Sequence, residues 1–222
     1  KQKKIEVQDV SIKKEENERF FVDIYLKEDE DEIQKTRIEQ IVTQILGESI
    51  VVNEENSIGK KISLLSEDKF LMAIGTSSRT KADSKESGDS VLNVKLKDGK
   101  YLIAISDGMG SGKKAKTSSA TALKILESLS LSGLDKSTAI DLITSSLIKQ
   151  NEEIFATLDI AIIDLYKGNV EFIKKGACPT YIKNKKRVQV IKSNSLPAGM
   201  INKSSLQVLD KDISSGEILF MC

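Results

Sequence analysis

The chain has 222 residues, which corresponds to one large domain or two unequal ones at roughly 150 residues per domain. Charged residues make up 30% of it, and 34 basic against 33 acidic side chains leave a net charge of +1. This composition excludes a disordered chain and a strongly basic nucleic-acid-binding protein. The chain contains no histidine, which removes the most common general base and metal ligand. Any catalysis must therefore rely on carboxylates or hydroxyls.

The two cysteines, Cys178 and Cys222, are too far apart for a zinc knuckle and too few for a disulfide framework. This usage is typical of a reducing compartment. No apolar run approaches the ~20 residues of a membrane span, and no signal-like stretch follows the first lysines. The sequence therefore predicts a cytoplasmic protein. Residues 217–222 have the pattern of a buried strand without a closing turn, which predicts a domain that continues beyond Cys222.

The first third of the chain has the pattern of a small α+β subdomain. Apolar and polar residues alternate in residues 5–10 and 21–26, the period of two expected for half-buried strands. Helical spacing in residues 33–46 follows an acidic run and ends at Gly47, as a helix should. Two more strand-like runs follow, at residues 50–52 and 61–65. We predict an N-terminal α+β regulatory subdomain over residues 1–68, joined through the polar residues 66–69.

The second region, residues 69–222, combines two adjacent helices with many short strands. A hairpin is predicted at Lys97-Asp98-Gly99, with Gly99 in the left-handed position of a three-residue loop. The helices are expected at about 113–130 and 136–149, the second capped by Asp135. The strands are expected at 89–96, 100–106, 154–165, 170–174, 180–183, 188–191, 206–209 and 218–222.

Two acidic residues flank this hairpin at its open end. If the loop has three residues, Leu96 pairs with Lys100 and Asp89 faces Asp107 on the same side of the sheet. Carboxylates about 5 Å apart repel each other unless a proton or cation lies between them. Oxygen ligands without histidine suit hard cations such as Mg²⁺ or Mn²⁺. Two alternatives stay open: each Asp merely ends a strand, or a two-residue loop places the two on opposite faces.

A glycine-rich loop, residues 108–112, connects the second hairpin strand to the first helix. Its spacing differs from a P-loop, because Asp107 and Lys114 occupy the positions of a glycine and a Ser or Thr. A dinucleotide fingerprint would need glycine at Lys113. The glycines permit close approach of the backbone to an ion, with the carbonyl of Gly108 as an additional ligand. The alternative is a tight strand-to-helix connection. A nucleotide-binding loop is the weakest interpretation, and we expect no saturable nucleotide binding.

Further charged residues are candidates on weaker grounds. Arg79 and Lys81 precede the loop and could orient a phosphate, although polar loops commonly carry exposed cations. Asp159 interrupts an apolar strand and needs a partner, either a structural hydrogen bond or a metal. Three lysines at 113, 114 and 116 begin a helix, where cations are unfavourable, which indicates a surface for something anionic.

Together these motifs resemble a known family. The segments that carry the resemblance are 87–90, 105–112, 128–143, 156–164, 175–180 and 195–201, and the resemblance as a whole covers about residues 70–222. They are similar to PPM-type metal-dependent serine/threonine phosphatases, and among these to the phosphatases of sporulation. The resemblance implies an α+β fold, an α/β/β/α sandwich of two antiparallel sheets flanked by helices, truncated at its C-terminus.

The resemblance also implies a site and a mechanism. Asp89 and Asp107 would be the catalytic residues that bridge two Mn²⁺ or Mg²⁺ ions, and the Gly108 carbonyl would bind one ion. A water activated by the metals would attack phosphoserine without a covalent enzyme intermediate. The two predicted helices would act as a switch on the site, with Gly110 and Gly112 as switch residues, and the N-terminal subdomain would press on them.

The implied substrate is a phosphorylated anti-sigma factor antagonist, whose dephosphorylation activates a sporulation sigma factor. The family has a further Ser-Asp-Gly motif and a late Asp that this chain lacks, so we expect weak metal binding and poor turnover. The full-length parent would lie at the cytoplasmic face of the membrane through a segment absent here. The competing hypothesis is a non-catalytic regulatory or assembly module that self-associates. Neither hypothesis requires nucleic acid.

Overall fold

The computed structural model describes residues 4–15, 18–28, 31–80, 86–110, 112–150, 155–200 and 206–222, with only the backbone at 149 and 150. The chain divides into two compact units, Lys1–Leu71 and Met72–Cys222. Each unit has its own hydrophobic core.

The N-terminal unit is a four-stranded antiparallel sheet with one helix. The strands are β1 (Val7–Lys14), β2 (Phe20–Leu26), β3 (Ile50–Val52) and β4 (Lys61–Ser66), in the order β1-β2-β4-β3. Helix α1 spans Glu32–Leu46. Its ends follow from local sequence, because Asp31 and Gln34 form a capping box and Gly47 ends the helix at φ 73°.

The first strand differs from its prediction. Residues 5–10 were expected to be half buried, but β1 extends to Lys14 and all its residues are exposed. Val7, Val10 and Ile12 are 47%, 47% and 54% exposed. The reason is its position at the sheet edge, where it pairs only with β2, while the core of this unit forms between α1 and the inner strands. Alternation of apolar and polar residues therefore predicts a strand here but does not show that the strand is buried.

The C-terminal unit contains a five-stranded and a three-stranded antiparallel sheet. The larger sheet has the order β11-β8-β7-β6-β5, and the smaller has the order β10-β9-β12. The elements are β5 (Asp89–Lys95), β6 (Tyr101–Asp107), α2 (Gly112–Leu131), α3 (Lys136–Gln150), β7 (Leu158–Asp164), β8 (Asn169–Lys175), β9 (Thr180–Lys183), β10 (Val188–Ile191), β11 (Val208–Asp212) and β12 (Ile218–Phe220). The predicted α+β class with antiparallel sheets is confirmed.

Helices α2 and α3 pack on one face of the five-stranded sheet. Leu102, Leu158 and Ile160 from the sheet meet Leu126 and Ile143 from the helices in one core. The predicted cap of α3 is confirmed, since Asp135 Oδ1 accepts hydrogen bonds from the backbone N–H groups at 137 and 138. Within the described ranges, no helix combines the length and the apolar character needed to cross a membrane.

The opposite face of the larger sheet lies toward the three-stranded sheet. Thr180 of β9 contacts both Asp159 of β7 and Lys174 of β8, and Phe172 on the same face is fully buried. The helix layer implied over the outer face of the smaller sheet is not formed by the described residues. The described part of the C-terminal unit therefore has three layers, one of helices and two of sheet.

Several strand ends differ from their predictions. The strand expected at 206–209 is β11, which begins two residues later and continues to Asp212 because it pairs with β8 as far as Asn169. The strand expected to begin at 154 begins at Leu158, and residue 154 lies outside the described residues. The last strand ends at Phe220 and not at 222. In each case the pairing partner sets the end.

Candidate metal centre

The hairpin between β5 and β6 places the two candidate carboxylates opposite each other. Gly99 has φ 80°, and the backbone N–H of Leu96 donates to the carbonyl of Lys100 at 2.7 Å. This three-residue loop fixes the register, and Asp89 pairs with Asp107. The predicted pairing is confirmed.

The pairing also defines how close the two side chains are. Leu96 and Lys100 form a hydrogen-bonded pair. Gly88 and Gly108 form another, in which the Gly108 nitrogen lies 3.4 Å from the Gly88 carbonyl oxygen. Because the two kinds of pair alternate along an antiparallel ladder, the intervening Asp89 and Asp107 form a non-hydrogen-bonded pair. Such pairs bring Cβ atoms within about 4.5–5.5 Å on one face. Both carboxylates are exposed, so an ion from solvent can reach them.

Two glycines bring backbone oxygens and helix α2 close to the pair. A Cβ at Gly108 would lie 1.9 Å from the carbonyl oxygen of Ala115 in α2, so only glycine fits there. A Cβ at Gly88 would lie 3.7 Å from Asp107 Oδ1 and 3.6 Å from the Gly108 carbonyl oxygen. These two oxygens therefore flank one small space beside Gly88.

The donor set fits a hard divalent cation. Two carboxylates and one carbonyl are the oxygen ligands that Mg²⁺ and Mn²⁺ prefer, and such ions commonly retain several waters. They supply three of about six ligands in an octahedral site. Among the residues that the structure describes, no group of three or more His, Cys, Asp or Glu side chains could hold a metal. The described residues thus supply two side-chain oxygens and one backbone oxygen to the candidate site, fewer than a complete set of ligands.

Thr157 holds the strand end that carries Asp107. Its Oγ1 accepts a hydrogen bond from the Asp107 backbone N–H at 3.0 Å, and its own N–H donates to the Asp107 carbonyl at 2.9 Å. The pairing continues through Gly108 and Ala156. The loop that follows β6 is therefore fixed against the start of β7.

Replacement of Thr157 with valine should destabilise the C-terminal unit by about 0.5–1.5 kcal/mol, because the Asp107 N–H loses its acceptor. Urea unfolding measures this difference. Thr157→Ser retains the hydroxyl and should keep most of the stability. A valine variant as stable as the parent would show that the side-chain hydrogen bond has no role in holding the loop.

Three neighbours support Asp89. The Ser87 hydroxyl donates to Asp89 Oδ2 at 2.9 Å, and Lys116 Nζ in α2 donates to the Asp89 carbonyl at 2.6 Å. Ser119, also in α2, donates to the Gly88 carbonyl at 2.6 Å. Helix α2 therefore contacts both strand ends that carry the candidate ligands.

Asp159 has a structural partner. Lys174 Nζ lies 2.6 Å from Asp159 Oδ1, and both side chains are almost fully buried, at 1% and 2% exposed. The same ammonium group also donates to the Cys178 carbonyl at 2.8 Å and to Thr180 Oγ1 at 2.7 Å. Burial raises the pKa of the Asp159 carboxyl, and the hydrogen bonds from Lys174 and Thr180 oppose that rise. Of the two roles considered for Asp159, the geometry favours a structural hydrogen bond over metal binding.

The remaining candidates are not brought to the pair by described contacts. Arg79 is exposed and outside any helix or strand, and Lys81 lies outside the described residues. Gly110 and Gly112 have φ 90° and 69°, and a Cβ at either would meet nothing within 4 Å. Their backbone conformation, and not crowding, requires glycine. The phosphate-binding and switch roles of these four residues stay predictions.

Sequence reasoning missed Thr157 as a support of Asp107 and Lys174 as the partner of Asp159. The first contact joins residues that are distant in sequence, through the β6 to β7 pairing, and the second joins the neighbouring strands β7 and β8. One signal was available: Asp159 and Lys174 are opposite charges in two apolar strands joined by a short turn. Correct placement of that turn would have paired them.

Comparison with known proteins adds to this geometry. The family described as stage II sporulation protein E (SpoIIE) matches residues 97–222. The chain belongs to the stage II sporulation protein E family. It is 39% identical to stage II sporulation protein E of Priestia megaterium over 152 residues, which are 66% of this chain and 26% of that protein. It is 31% identical to stage II sporulation protein E of Bacillus subtilis (strain 168) over 190 residues, 83% of this chain and 23% of that protein. The chain thus spans about a quarter of these curated relatives.

Solved structures agree with this assignment. The PP2C phosphatase domain of SpoIIE from Bacillus subtilis, with a fragment of its regulatory domain, superposes with a TM-score of 0.69 at 31% identity, covering 98% of this chain and 65% of that one. The RsbU and RsbW domains of Rv1364c from Mycobacterium tuberculosis match with a TM-score of 0.55 at 16% identity, over 63% of this chain and 39% of that one. The second likeness shows the fold alone. The family is one of PP2C-type serine/threonine phosphatases, which are generally metal-dependent.

Proposed function

We propose that this chain forms the metal-binding core of a phosphoserine protein phosphatase whose substrate is a phosphorylated anti-sigma factor antagonist of sporulation. The observation that carries the proposal is the pairing of Asp89 with Asp107 next to the Gly108 carbonyl. Two acids directly opposite each other are destabilising, and a bound cation would relieve this repulsion. The membership of the stage II sporulation protein E family supports the substrate class.

The residues of the chain would each have a defined part. Asp89 and Asp107 would hold one or two Mn²⁺ or Mg²⁺ ions from opposite strands, with Gly108 supplying a backbone oxygen. A bound cation supplies Lewis-acid chemistry, lowering the pKa of water and stabilising charge on a phosphoryl group. Thr157 and Lys116 would keep the two strand ends in place. No covalent intermediate is needed, which suits a chain without histidine.

Further parts of the proposal concern the protein that contains this chain. We expect it to act on the cytoplasmic side of a membrane to which another segment attaches it, and to self-associate. The N-terminal α+β unit would be regulatory, acting on the site through α2 and α3. These assignments rest on family membership and on the contacts of α2 with Asp89 in one strand and with Gly108 after the other.

The proposal is tested by phosphate release from a phosphoserine antagonist protein, with this chain and with a chain extended past Cys222. The extended chain should hydrolyse the phosphoserine in Mn²⁺ and lose this activity when the metal is chelated by EDTA. This chain should be much less active, because the described residues supply only about half of the ligands that a six-coordinate ion requires. Absence of Mn²⁺-dependent release in both chains would favour the non-catalytic module.

A further inference from the structure

A basic groove runs along the exposed side of α2, beside the candidate metal centre. We use this name for the surface formed by Lys113, Lys116, Thr117, Ala120, Thr121 and Lys124. The groove has a volume of about 380 Å³, and among the described residues that line it Glu86 is the only acid. Its members recur every three or four residues, so they lie on one face of the helix.

The charge of the groove is not neutralised by the rest of the described chain. Lys113 and Lys124 are exposed, and neither forms an ion pair with an acid within the ranges that the structure describes. The first turn of α2 contains no acidic residue. Cations there oppose the helix dipole, so the lysines at this end weaken the isolated helix. A ligand with negative charge would offset this disadvantage.

The groove starts at the candidate metal centre. Lys116 Nζ donates to the Asp89 carbonyl, so this end of the groove lies against the strand that carries a metal ligand. From Lys113 to Lys124 the helix rises about 16 Å, at 1.5 Å per residue. An extended peptide of about five residues covers that length. The dimensions fit a short segment that continues from a residue held at the metal centre.

We propose that the basic groove binds an acidic segment next to the phosphoserine of the protein substrate. This inference rests on the proposed function and adds to it a determinant of substrate choice. Three ammonium groups complement Asp or Glu side chains, and the Thr121 hydroxyl can donate to the same carboxylates. The groove has no aromatic side chain on which bases could stack, so its chemistry favours a peptide over a single-stranded nucleic acid.

Fluorescence anisotropy with two labelled phosphoserine peptides tests this proposal. One peptide carries four acidic residues beside the phosphoserine, and the other carries serine and glycine there. The chain should bind the acidic peptide at least fivefold more tightly at low salt, and 0.5 M NaCl should reduce this ratio. Lys113→Glu combined with Lys124→Glu should bring the ratio close to one. Lys185→Glu combined with Lys186→Glu makes the same charge change on the exposed β9 to β10 turn and should leave the ratio as it is.

The outcomes separate this inference from its alternatives. A ratio near one in the parent chain, or an equal loss in the Lys185 and Lys186 variant, would overturn the proposal. Tighter binding of an oligonucleotide with the same number of charges would also overturn it. Since the ratio is measured without turnover, a preference that persists while neither this chain nor the chain extended past Cys222 releases phosphate in Mn²⁺ would refute the proposed function and leave the groove assigned. Circular dichroism checks folding, and an acid at position 113 should favour the helix.

Discussion

In the chain extended past Cys222, replacement of Asp107 with asparagine should lower Mn²⁺-dependent phosphate release from a phosphoserine protein by more than about 100-fold. Loss of groups that only support a metal ligand already reduces affinity or activity by about 10–100-fold, and Asp107 would be a ligand itself. The same change should slightly raise the thermal midpoint of the metal-free protein, because it removes one of two carboxylates that face each other. Activity and metal-free stability should therefore change in opposite directions.

Asp98→Asn is the matched control, since Asp98 lies at the other end of the same hairpin and pairs with Lys100. It should leave phosphate release almost unchanged. Thermal unfolding with and without Mn²⁺ gives a second readout, because a bound ion stabilises only the folded protein. If Asp107→Asn kept its activity and its stabilisation by Mn²⁺, the metal-centre assignment would be wrong.

Replacement of Lys174 with methionine should destabilise the C-terminal unit by about 3–5 kcal/mol, the usual loss when one partner of a buried ion pair is removed. All three N–H groups of Lys174 have acceptors, Asp159, Cys178 and Thr180. Methionine fills a similar volume but leaves the Asp159 carboxylate with only the Thr180 hydroxyl. Urea unfolding measures the loss.

The pH dependence of this variant has a defined sign. Burial already raises the folded-state pKa of Asp159 above its unfolded value, and removal of Lys174 raises it further. A carboxyl with a raised folded pKa binds its proton more tightly in the folded state, so stability falls as pH rises through that range. Lys174→Met should therefore lose more stability than the parent between pH 4 and pH 7. Adding Asp159→Leu should restore most of the stability and remove this pH dependence. A double variant as unstable as Lys174→Met would contradict the explanation by buried charge.

The parts of the site that the sequence predicted are those set by local rules. The loop at Lys97-Asp98-Gly99 determines the register of one hairpin, and that register alone brings Asp89 to Asp107. The Asp135 cap and the Gly47 stop likewise depend on residues within a few positions. Turns and helix caps depend on residues that are only a few positions apart, so they can be predicted from a single sequence.

The parts that sequence reasoning missed depend on strand register and on distant pairing. The turn after β7 occupies residues 165–168, between the end of β7 at Asp164 and the start of β8 at Asn169. The Asp164 side chain accepts hydrogen bonds from backbone N–H groups inside this turn, and the resulting register brings Asp159 opposite Lys174. The Thr157 contact depends on the connection from α3, which no local rule determines.

The contact between Gly108 and α2 has a mechanical consequence. Since a Cβ at Gly108 would lie 1.9 Å from the Ala115 carbonyl oxygen, the two backbones touch with no side chain between them to absorb a displacement. Lys116 joins the same turn of the helix to the carbonyl of Asp89. A translation of α2 would therefore displace both strands of the hairpin and change the spacing of the candidate oxygen ligands.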